Sequence, residues 1–92
     1  MANFSFVWVF NGEKGNLPSA IFSKRELAEE WIKRHRLTGV LTAYPLDISV
    51  YDWAISNGFF TPKRENHFSA EFISGFSSAS QEHYHYENGN CE

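Results

Sequence analysis

The hydrophobic pattern opens on FSFVWVF, where Phe4, Phe6, Trp8 and Phe10 alternate with Ser5, Val7 and Val9. Period two is the signature of a strand, and the second side is apolar enough to predict a central one. Asn11-Gly12, followed by Glu13 to Asn16, is turn chemistry, and LPSAIFS then predicts a short strand with Pro18 at its start or edge. The period next changes to that of a helix. Leu27, Ala28, Trp31, Ile32 and His35 share one stripe, preceded by Ser23 and Glu26 at capping-box spacing and by Phe22 and Leu27 at staple spacing. Glu29–Lys33 and Glu30–Arg34 are oriented as favourable i,i+4 pairs, and Gly39 is the predicted stop.

GVLTAYPL predicts a third strand ending near Pro45. A second, shorter helix follows, opened by Ser49 with Asp52 and closed by Asn57-Gly58. HFSAEFISGF fits two periods at once; the alternation of Phe68, Ala70 and Phe72 favours a strand over residues 67–76. QEHYHYENG predicts a last strand closing at Asn88-Gly89. The predicted order is β-β-α-β-α-β-β. This is an α+β fold, a mostly antiparallel sheet with two helices packed on the face of Phe6 and Trp8. Residues 1–89 form one domain, and residues 90–92 are expected to be a frayed tail.

Composition narrows the function classes. Ninety-two residues leave no room for a second core, and 17% aromatic content exceeds what one small core needs, which points to a contact surface as well. A net charge of −3 argues against nucleic acid. The basic run Lys33 to Arg36 is accounted for by its glutamates one turn earlier and by the dipole at a helix end. Cys91 is the sole cysteine, so no intramolecular disulfide forms. No signal-peptide pattern and no membrane-length apolar run is present; the expectation is a cytoplasmic protein with no membrane association.

Candidate chemistry is sparse. No Gly-x-Ser-x-Gly elbow and no phosphate-cradling glycine loop occurs, and Ser77 to Ser80 reads as a turn. Cys91 sits on the expected tail, so no catalytic residue is assigned. His83 and His85 share one face of the last strand, but a metal site needs three or four ligands, and His35 and His67 belong to other elements. The pair is therefore read as part of a polar strand face backed by Tyr84 and Tyr86, with no metal and no cofactor. Of Tyr51, Trp53, Phe59 and Phe60, Trp53 and one phenylalanine are expected to close one end of the core, and the remainder, rimmed by Asp47, Asp52, Lys63 and Arg64, predict a protein-contact patch.

The stretches HRLTGVLTAYPLDISVYDWAISNGFF and FSSASQEHYHYENG resemble the recurring words of a family of small, uncharacterised bacterial single-domain proteins. The likeness covers most of the chain. It implies a stand-alone domain and contributes no catalytic residues. Small acidic domains of this kind often serve as immunity partners of bacterial toxins, so the resemblance implies a non-enzymatic module that occludes a toxin's active site. The expected partner is a basic toxin domain, met through Tyr51, Asp52, Phe59, Phe60, Glu65, Glu82, His83, His85 and Glu87. Two alternatives stand beside this reading. One is a small metal- or ligand-binding enzyme using His83 and His85; the other is a self-associating domain, a homodimer paired through its last strand.

Overall fold

The computed structural model describes residues 5–92, so Phe4 lies outside the described residues. The alternating opening forms β1 (Phe6–Gly12), which pairs antiparallel on one side with β2 (Ala20–Phe22) and on the other with β3 (Gly39–Pro45). Strand β4 (His83–Glu87) pairs with β3, and β5 (Asn90–Cys91) pairs with β4. The sheet is antiparallel throughout, in the order β2-β1-β3-β4-β5. Both edges are short strands, which limits unwanted edge pairing. The last predicted strand is thus not an edge: Tyr86 and Glu87 of β4 are already paired with Cys91 and Asn90. The tail expected to fray is β5 itself, held by Asn88-Gly89 at φ 51° and 86° and by the Glu92 N–H donating to the His85 carbonyl at 2.8 Å. Two positive φ angles in a two-residue loop are the geometry for which Asn-Gly is selected.

Helix α1 (Arg25–Arg34) covers one face of the sheet. Ala28 and Ile32 pack onto Phe10, Leu41 and Tyr86, with Trp8, Phe22, Trp31, Leu37 and Tyr84 around them. Trp31 is only half-buried, meeting Phe10 edge-on at 5.5 Å and Phe22 at 5.6 Å. The predicted Ser23 cap does not form. Lys24 occupies the N-cap without a side-chain bond, which leaves Glu26 one position short of the N3 site that a capping box requires. Glu29 turns back to Arg25 at 3.3 Å instead of forward to Lys33.

The helix also stops before Gly39. The Leu37 N–H donates to the Ile32 carbonyl at 3.0 Å and the Arg36 N–H to the Lys33 carbonyl at 3.2 Å, while Arg36 takes φ 53°. This is a Schellman stop with arginine where glycine is preferred. Arg36→Gly is therefore expected to raise stability by roughly 0.5–1 kcal/mol, read as a higher urea midpoint at unchanged slope.

Between β3 and β4 the chain builds a second, smaller lobe. It consists of α2 (Val50–Ser56), a 3-10 turn (Glu65–Phe68) and α3 (Ala70–Ser74). Ser49 caps α2 as predicted, its Oγ accepting the Asp52 N–H at 3.0 Å, and Gly58 at φ 75° follows its end. Residues 67–76 are not a strand. Ser69 caps α3 by accepting the Phe72 N–H at 3.1 Å and Gly75 ends it, which turns Phe72 and Phe76 onto Tyr51 and Phe60. Among the described residues three α-helices therefore accompany the sheet rather than two, and the fold remains α+β. The radius of gyration, 14.6 Å, exceeds the roughly 12 Å of an equally long compact domain, as an appended lobe requires.

Candidate protein-binding interface

The sheet has two unequal faces. Trp8, Phe10, Phe22, Leu41 and Tyr86 point toward α1, and strand alternation sends Val7, Val9, Ile21, Val40, Thr42, Tyr44, His83 and His85 to the other side. Registered pairing places Ile21, Val9, Thr42 and His83 in one row across four strands. Within this outer face only Val9 is buried; Ile21 is 67% exposed, and Val7, Val40, Thr42 and Tyr44 keep intermediate exposure. Ser77 to Ala79 border the Tyr44–His83 side as an open cleft. Next to the Val40–His85 end, a second cleft is lined by Glu13, Glu87 and Glu92, with no lysine or arginine in its wall. An aliphatic and aromatic centre thus adjoins an acidic margin.

The residues expected from sequence divide between this face and the lobe. His83, His85 and Glu87 are exposed and share the outer face of β4, where the predicted alternation places them. Glu82 is also exposed but points with the tyrosines, accepting the Tyr84 hydroxyl. Asp52 is exposed and engaged in its own helix start, where it accepts the Ser49 hydroxyl at 3.0 Å. Phe59 is 53% exposed against Trp53, at 5.4 Å, and Glu65 is exposed at the start of the 3-10 turn.

Tyr51 is not a surface residue. It is 7% exposed, its ring sits among Phe60, Phe72 and Phe76, and its hydroxyl donates to the His67 carbonyl at 2.9 Å. Phe60 is likewise half-buried in that cluster, so the patch read from residues 51–60 is mostly a small core. His67 belongs to the same lobe. Its Nδ1 accepts the Lys63 and Arg64 N–H groups at 3.1 and 3.2 Å, which places the neutral ring's proton on Nε2. Gln81, not singled out in the sequence, is a buried polar residue two positions ahead of the start of β4. Its Nε2 donates to the Ala43 carbonyl at 3.2 Å and its Oε1 accepts the Ser78 N–H at 3.1 Å.

The inner side of β4 carries the strongest electrostatics. Tyr86 donates to Glu29 at 2.7 Å, and the Arg25 guanidinium lies 3.5 Å over the Tyr84 ring. Burial, and then the bond to Glu29, push the Tyr86 phenol well above its ordinary value, because both penalise the phenolate. A phenol whose folded-state value is raised contributes stability that is complete below its unfolded value near pH 10 and is lost as pH rises beyond it. Tyr86→Phe is therefore expected to cost about 1 kcal/mol at pH 7 and to flatten the fall in stability above pH ~10, measured by urea melts along a pH series.

Among the described residues no group of three or more His, Cys, Asp or Glu side chains is placed to hold a metal ion, and no helix is long and apolar enough to cross a membrane. A family model described as a domain of unknown function, DUF7710, matches residues 7–92. The chain belongs to the DUF7710 family. No curated protein and no solved structure matches it at a significant level. The DUF7710 match spans sheet, lobe and β5 together, so the lobe and the last hairpin lie inside the family's domain.

Proposed function

We propose that this DUF7710 domain is a non-enzymatic protein-binding module, an immunity protein that occludes the active site of a basic bacterial toxin domain. The observation that carries the reading is the uncovered outer face of the sheet, with Ile21 67% exposed at its edge strand. A face of Val7, Ile21, Val40 and Tyr44 offers the apolar centre of an interface, and Glu13, Glu87 and Glu92 supply an acidic margin. Such a margin steers a basic partner and disfavours an acidic one. The net charge of −3 has the same sign. A module of this class works in the cytoplasm of the producing cell, and Cys91 as a free thiol fits a reducing compartment.

Co-expression with a basic bacterial toxin domain, sought first among the products of adjacent genes, tests the reading. Growth rescue and co-purification are expected, and Ile21→Asp, which adds a charge on an exposed position, is expected to weaken the complex about tenfold or more without unfolding the domain. Absence of rescue, or a complex indifferent to Ile21→Asp, would sink it.

A further inference from the structure

We propose that His83 and His85 form a chelating site for a late first-row divalent ion, Ni²⁺, Cu²⁺ or Zn²⁺, independent of any protein partner. The two residues occupy successive outward positions of β4, and their ring centroids are 5.5 Å apart at an interplanar angle of 80°. Metal–nitrogen bonds of about 2.0–2.1 Å put each ring centre roughly 3.2 Å from the ion, so two centres at the observed spacing fit around one ion at an open angle.

The decisive detail is on the far side of His83. Its Nδ1 lies 2.7 Å from the Gln81 carbonyl oxygen. A carbonyl only accepts, so Nδ1 carries the proton and the neutral ring keeps its lone pair on Nε2. This carbonyl-oriented imidazole is the arrangement that metal-ligating histidines use to fix tautomer and ring direction. Gln81 is itself held, being 4% exposed with its side-chain amide bonded to Ala43 and Ser78, so the carbonyl that orients His83 belongs to a fixed segment. His67 provides the contrast within the same chain, since its Nδ1 is already committed to two backbone N–H groups.

Imidazole pairs suit borderline ions, with affinity rising from Ni²⁺ to Cu²⁺. Both rings are exposed, which leaves the ion's remaining positions to water and makes the affinity weaker than that of a closed structural site.

The test is calorimetric titration of tag-free protein with Ni²⁺ alone. Saturable binding of one ion per chain is expected. His83→Ala and His85→Ala should each weaken it about tenfold or more, because either leaves a single imidazole, and His35→Ala should leave it unchanged. Circular dichroism of each variant verifies that the sheet persists. No saturation below about 1 mM, or an affinity that either of the β4 substitutions leaves unchanged, overturns the proposal.

Discussion

Gly39→Ala is expected to remove a large part of the domain's folding stability. Gly39 opens β3 on the face covered by α1 and stands opposite Gly12 of β1. A methyl group there would lie 2.7 Å from Cζ of the Phe10 ring and 3.0 Å from Cα of Gly12, with the Asn11 carbonyl closer still. Two of the three obstacles are backbone, so the strain cannot be relieved by turning a side chain. Phe10 is 2% exposed and has nowhere to go. Overpacking of a tight core costs about 1–3 kcal/mol, and a backbone clash in the central strand pair adds to it. Against a total of about 5 kcal/mol for a small domain, that removes a large part of the folding stability. Urea denaturation of the purified variant checks the expectation; a midpoint within experimental error of the parent would contradict it.

Phe10→Ala carries the second large effect, about 3–5 kcal/mol. The ring is among the largest fully buried side chains of the described residues, and it contacts Trp31 from the helix while standing between β2 and β3 in the sheet. Trp31→Ala should cost less than a fully buried tryptophan would, because Trp31 stays half-exposed and part of its area returns to water that it already meets. Thermal melts of the two variants should therefore rank Phe10→Ala below Trp31→Ala. The reverse order would mean that the helix, not the strand, holds the core.

The strands β1, β3 and β4 were legible because alternation over five or more residues has few competing explanations. Residues 67–76 misled for the opposite reason. Phe68, Ala70 and Phe72 alternate, yet Phe68 ends 62% exposed while Phe72 and Phe76, four apart, face one cluster. Ser69 and Gly75 were the better signals, a cap and a stop at a spacing that only a short helix fits. Ser23 failed at the level of one residue: a helix that starts at Arg25 puts it outside the N-cap, and no periodicity resolves a boundary that finely.

The outer sheet face escaped for a deeper reason. Alternation tells which residues share a face, but not whether a helix arrives to cover it. Val9 shows how the two separate, being buried between neighbouring strands on a side that α1 does not reach. Tyr51 shows the converse, since α2 is too short to hide its ring alone and the rings of Phe72 in α3 and of Phe76 just beyond it close over it.

The aromatic lobe also bears on how quickly the sheet can assemble. β3 and β4 are paired, but the whole stretch from Leu46 to Glu82 separates them along the chain. Left as a free loop, that stretch would have to be closed at a cost in chain entropy before Leu41 could meet Tyr84. A lobe whose own rings collapse locally, with Phe60 and Phe76 4.9 Å apart, shortens the effective distance the two strands must search. In kinetic terms the lobe is a splint. Weakening it at Phe72 should slow refolding more than it hastens unfolding, although no atom of the β3–β4 ladder has been touched.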